Sequence, residues 1–301
     1  MDKVKLIKYG LGGIVGLVVL WVLAIGIISS PHTTAYKPEP LAATATDQER
    51  AQVLARGLTY ALDESLSSFF GFLPNDLLAP WILDNTPYYQ RGVVYATRPA
   101  SEVLAQEVGR FGNRDTIDPR LADATSRYFS YSEFAWGFLF IYDAEGKYRA
   151  GIKNWADWAS AVGGSGKKAA VFNLRSDDIY AIIKYCVTMT DYALGVLNND
   201  KMGHFSTDNN VYYAKGICAV VGNVLRALAA VDSTLSERGG AENLQEALQR
   251  LDYIEEFNPI YVMAGGNTVG DAMMPNHVAA LARHIDITNN RLNDMLQSMI
   301  R

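Results

Sequence analysis

Between Tyr9 and Pro31 the chain carries no charged residue, and Leu11 to Ile28 is dominated by Leu, Ile, Val and Gly. A helix needs about 20 apolar residues to cross the hydrocarbon core of a bilayer, so this run is long enough to span. Lys3, Lys5 and Lys8 precede it against Asp2, whereas only His32 and Lys37 follow closely. The bias of Lys and Arg towards the cytoplasmic side then predicts residues 1–8 as a cytoplasmic tail and 9–30 as a transmembrane helix. Everything that follows falls on the far side of the membrane. Tyr9 sits where an interfacial aromatic is expected. A cleaved signal peptide is the rival reading, with a weak cleavage site at Thr33 and Ala35, but its apolar stretch would be about 7–15 residues. No cysteine follows the run to carry a lipid. Gly12 and Gly16 are spaced to let two membrane helices approach closely, which makes them candidates for a homodimer contact, although such spacing is frequent in Gly-rich spans.

Pro31, Pro38 and Pro40, with several Ala and Thr, mark residues 31–46 as an extended linker that holds the following domain off the membrane. Beyond it the apolar period is helical. Helices are expected from Asp47, as N-cap, to Phe70; from Pro99 to a stop at Gly112; from Asp118-Pro119 towards Tyr131; and from Glu145 to Val162. Ser176, as N-cap, opens a helix with Ile179, Ile182, Ile183, Cys186, Thr190, Ala193 and Leu197 on one face. After a polar loop comes a long helix with Val211, Ala214, Cys218, Val221, Leu225 and Leu228 as its stripe. Glu242–Glu256 and a last helix from Pro275 complete the set. Trp136–Tyr142 reads as a short strand or a buried turn. The predicted fold is therefore all-α, with room for one or two short strands. It comprises an N-terminal transmembrane helix, a linker and an antiparallel helical bundle over residues 47–301, with no boundary that splits the bundle.

The net charge is −5, and the segment before the apolar run contributes +2, so the remainder carries −5 − 2 = −7. An acidic body without a Lys/Arg block excludes nucleic acid as the main partner, because phosphate neutralisation needs a basic footprint.

Asn75-Asp76-Leu77, the run Gly92–Arg98, the stretch Tyr148–Ile152 and Asn173–Tyr180 together resemble a proteobacterial family catalogued as domain of unknown function 2333. The resemblance implies a protein of the bacterial inner membrane with its C-terminal domain in the periplasm. It implies no catalytic residues.

Candidate site residues come from charged groups in apolar surroundings, which cost free energy unless paired or functional. These are Asp76, Arg98, Arg175, Asp178 and His204, as ligand-binding residues. Arg175-Ser176-Asp177-Asp178 reads either as a helix cap or as a site for a cation or polar ligand. Cys186 and Cys218 lie on the stripes of neighbouring helices, roughly level if those helices form a hairpin. An oxidising compartment would allow a disulfide between them, and two buried thiols are the alternative. His277 and His284 are seven apart and share a helix face, but the i, i+4 spacing of a metal pair is absent. Gly163-Gly164-Ser165-Gly166-Lys167-Lys168 lacks the spacing and the Ser/Thr of a phosphate loop. No cofactor is expected. The 17 tyrosines are read as helix-packing residues with one wet end, or else as an aromatic groove. Two functions follow. One is a membrane-anchored scaffold or assembly protein without catalysis, bound to the bilayer through its first helix and to an envelope protein partner. The other is an envelope enzyme or ligand binder acting on a cell-wall or lipid-derived substrate.

Overall fold

A computed structural model describes residues 3–31, 33–68, 71–75, 85–110, 116–135, 143–166, 169–198, 207–259, 261–263 and 275–300. Among them every regular element is helical; the only β pairing is two isolated bridges, Arg110 with Ile117 and Val162 with Ala170. Trp136–Tyr142, the expected strand or turn, lies outside the described residues.

The helices are α1 (Lys3–Ser29), α2 (Asp47–Ser67), α3 (Asn85–Val108), α4 (Pro119–Asp123), α5 (Asp143–Ala161), α6 (Ser176–Leu197), α7 (Thr207–Val231), α8 (Leu235–Gly239), α9 (Ala241–Glu256) and α10 (His277–Ile300). A single π turn, Ala124–Tyr128, continues α4. The centre is α7, which α2, α3, α6 and α9 all contact. Its expected apolar stripe is buried, but so is nearly every other residue from Val211 to Val231. By length and apolarity α7 would also pass as a membrane span; its burial inside the body makes it a core helix. Helix α5 packs on α2, and α10 lies across α6 and α9.

Glycines set the closest approach. A Cβ on Gly216 would sit 2.1 Å from the Tyr89 carbonyl oxygen, and one on Gly92 would sit 2.1 Å from that of Tyr213. The backbones of α3 and α7 can touch there because neither residue has a side chain.

Buried charge ties α7 to the end of α9. Lys215 is buried and donates from Nζ to the Phe257 carbonyl (3.0 Å) and to Asn258 Oδ1 (2.6 Å). Burial pulls its pKa down to about 8, against the upward influence of Glu255. Arg226 reaches Asp252 Oδ1 at 2.6 Å and Glu255 Oε2 at 3.6 Å. Burial raises the Glu255 pKa, and Arg226 and then Lys215 oppose that rise.

Helix α1 exposes Tyr9–Trp21, and nothing lies within 4 Å of where a Cβ would stand on Gly12 or Gly16. Its last residue is fastened: Ser29 is buried, its Oγ accepts from Asn85 N (3.1 Å), and its carbonyl accepts from Thr86 Oγ1 (2.7 Å). The segment after it is extended, as its prolines require, yet it lies along the body. Tyr36 N donates to Asn223 Oδ1 (2.9 Å) and Leu41 N to the Ala230 carbonyl (3.0 Å), while Tyr36 and Leu41 pack on the core. It is a strap along α7, not a free spacer; two apolar side chains and two satisfied backbone donors hold it down.

Three helix starts differ from expectation. Thr46, not Asp47, caps α2: its Oγ1 accepts from Glu49 N (3.2 Å), and the Glu49 carboxylate returns to Thr46 N (2.8 Å). Pro99 lies inside α3 instead of opening a helix. The proline leaves the Tyr95 carbonyl without its helical donor, and the neighbouring Ala96 carbonyl accepts from Tyr185 OH at 2.9 Å. Ser176 is the first residue of α6 but not its cap; the Asp178 carboxylate takes the Arg175 N–H at 2.6 Å, and Ser176 Oγ instead accepts from Arg238.

Candidate functional site

The first turn of α2, the start of α6, the end of α7 and the start of α8 meet at one end of the body. Between them lies a cleft of about 480 Å³. Leu174, Ile179 and Val231 supply its apolar lining, and Arg50, Arg175 and Arg238 its positive charge. Arg238 is fully engaged: its guanidinium pairs with Asp232 and donates to Thr234 Oγ1 (3.0 Å) and Ser176 Oγ (3.0 Å). Arg50 and Arg175 make no ion pair among the described residues. Arg50 reaches the Ala43 carbonyl on the strap through Nη2 at 3.4 Å, while its Nε is shielded from solvent and has no partner.

The placement of two of these arginines is electrostatically unusual. Arg50 stands in the first turn of α2, and Arg175 immediately precedes α6. Helix N-termini carry partial positive charge and favour acids, so a cation there costs a few tenths of a kcal/mol up to about 1 kcal/mol. Three of the nearby carboxylates are otherwise occupied: Glu49 with Thr46, Asp178 with the Arg175 N–H, Asp232 with Arg238. Behind α6, Glu107 has its pKa raised, first by burial and then by a hydrogen bond with Asp178.

A second cleft of about 510 Å³ adjoins on the other side of the Arg238–Ser176 contact. Asp177, Tyr180, Met299 and Ile300 line it. The two clefts share Ser176 and Arg238 and form one interrupted groove.

This groove stands at the far end of the body from α1. Ser29 is bonded to the start of α3, and the Val108 carbonyl at the end of α3 accepts from Asn173 N (3.2 Å), just before Arg175. Helix α3 has 24 residues, so the two ends are separated by about 36 Å at ~1.5 Å per residue.

Of the expected site residues, Arg175 lines the groove and Asp178 braces it from behind. Arg98 is exposed on α3 and lines neither cleft. Asp76 and His204 lie outside the described residues, as do Lys167 and Lys168. Cys186 and Cys218 are buried and unbonded in the structure, and burial pushes each thiol up to about 12. His277 and His284 are structural: His277 Nδ1 accepts from Met263 N at 2.9 Å, and His284 packs on Tyr253 with ring centroids 5.4 Å apart. The tyrosines do cluster, but by a pairing invisible in sequence order. Tyr95 of α3 stacks on Tyr192 of α6 at 4.6 Å, with Tyr213 of α7 beside them. Arg50 and Arg238 were not expected in the site. Their sequence neighbourhoods are ordinary helix ends; the signal available was Arg50 in the first turn of a helix, where a cation is out of place.

A family model described as an uncharacterized protein conserved in bacteria matches residues 2–203. The chain belongs to that family, domain of unknown function 2333. No curated protein and no solved structure matches the chain.

Proposed function

We propose that this family member is a membrane-anchored protein of the bacterial envelope that acts by recognition, holding a partner at the end of its helical body farthest from the bilayer. Helix α1 crosses the inner membrane with its lysines in the cytoplasm, and the body stands in the periplasm. The observation that carries this reading is the placement of the exposed apolar helix and the arginine groove at opposite ends of α3. An anchor fastened at one end presents the other end to the periplasm. Because Ser29 is bonded to α3 and the strap is docked, the body sits directly at the exit of the membrane helix. Gly12 and Gly16 are open for contact with a second copy in the bilayer.

Site-specific photocrosslinking in cells tests the recognition role. A photoreactive residue at position 180, beside the groove, should give a discrete adduct, whereas one at position 253 on α9 should not. Equal labelling at both positions, or none at either, contradicts it.

A second reading, a binder of a small envelope ligand, is favoured by the two guanidiniums without carboxylate partners and by the size of the cleft. Volumes of about 300–1,000 Å³ are typical of small-molecule sites.

A further inference from the structure

We propose that the Arg50–Arg175–Arg238 cleft is a phosphate-binding site, taking the phosphoryl group of a small polar ligand; the inference rests on reading this groove as the recognition end of the molecule. The charged groups lining the cleft are three guanidiniums and one carboxylate, Asp232, which leaves a local excess of +2 in a body that is otherwise acidic. A phosphomonoester carries about −1.5 to −2 near neutral pH and matches that excess. Guanidinium groups present planar forks suited to phosphate oxygens.

Two features of the cleft point to an anion. First, Arg50 and Arg175 have no acidic partner among the described residues, whereas Arg226, Arg238, Arg250 and Arg291 are each paired with a carboxylate. Second, both stand at helix N-termini, where their charge adds to that of the peptide dipoles; an anion between α2 and α6 turns an unfavourable placement into a favourable one. Ser176, whose Oγ accepts from Arg238, keeps its own O–H to donate to the polar body of the ligand. The separation of about 36 Å along α3 puts the cleft beyond reach of phospholipid headgroups in the anchoring membrane. A soluble phosphate compound is therefore the ligand class.

Full-length protein in detergent micelles is titrated calorimetrically with inorganic phosphate, glucose 6-phosphate and glucose, at constant ionic strength set with chloride. Saturable binding of phosphate is expected, with no binding of glucose. Arg175→Ala and Arg50→Ala should each weaken phosphate binding at least tenfold; Arg127→Ala, whose guanidinium lies over Tyr128 away from the cleft, should leave it unchanged. Both cleft arginines are at least partly exposed, so their variants fold, which an unchanged melting temperature without ligand verifies. Tighter binding of the sugar phosphate than of phosphate identifies an ester as the natural ligand, and equal binding identifies free phosphate. No saturable phosphate binding, binding indifferent to both cleft variants, or binding of a polyglutamate peptide in its place overturns the assignment. None of these readouts involves a protein partner or the membrane, so the site can fail while the crosslinking result stands.

Discussion

Replacing Gly216 by Ala adds one methyl group at the most crowded point of the fold. The new Cβ would lie 2.1 Å from the Tyr89 carbonyl oxygen and 3.0 Å from Val93 N, all backbone atoms of α3. Ordinary contact begins at 3.4 Å, so the helices must part by up to 3.4 − 2.1 = 1.3 Å. No side chain can rotate to absorb this. Overpacking costs roughly 1–3 kcal/mol when side chains can yield, and a backbone obstacle places this change at the upper end. Ala regains about 1 kcal/mol of helix propensity over Gly. The net loss is about 2 kcal/mol, which for a body of this size lowers Tm by about 4–8 °C. The assay is thermal unfolding of the full chain in detergent, followed by far-ultraviolet circular dichroism. Gly195→Ala is the control: it is exposed in the last turn of α6 with nothing within 4 Å, so the same substitution there should leave Tm unchanged or raise it slightly. Gly216→Ala melting at or above the native temperature would refute the claim that backbone contact between α3 and α7 sets the core.

Thr46→Ala removes the cap of α2 and should cost about 1 kcal/mol, seen as a small drop in Tm; no change would mean that the strap, not the cap, fixes the start of that helix. Arg226→Ala leaves Glu255 buried beside Lys215 alone and should cost about 3 kcal/mol in urea unfolding, while a loss below 1 kcal/mol would show the carboxylate already neutral. Lys215 gives a pH signature. Its folded pKa of about 8 lies below the ordinary 10.5, so between those values the unfolded chain binds more protons and stability rises with pH. The full gap corresponds to about 3 kcal/mol. Native protein should therefore gain stability relative to Lys215→Met from pH 8 to 10, and parallel pH profiles would contradict the buried-cation reading.

Periodicity located the helices because each buries a stripe, and the stripe is written at intervals of three and four residues. For α6 every expected core position, from Ile179 to Leu197, is buried. Helix α7 also showed a stripe, but its central place did not follow, since burial of its remaining faces depends on which helices surround it. The sequence places the start of α3 at Pro99 because proline normally opens a helix, yet the helix runs through it from Asn85 to Val108. The strap was legible as extended but not as docked, for its acceptors, Asn223 and the Ala230 carbonyl, lie far along the chain. The groove was half legible. Arg175 stood out next to its two carboxylates, but Arg50 and Arg238 join it only through the meeting of α2, α6 and α8.

The central claim is that α1 is a permanent bilayer span and that the body attached to it lies outside the cytoplasm. Protease digestion of spheroplasts carrying a C-terminally tagged chain tests it most directly. The account predicts that the tag is lost from intact spheroplasts while α1 stays in the membrane pellet after alkaline washing. A tag protected until the spheroplasts are lysed, or a chain released by the wash, would contradict it.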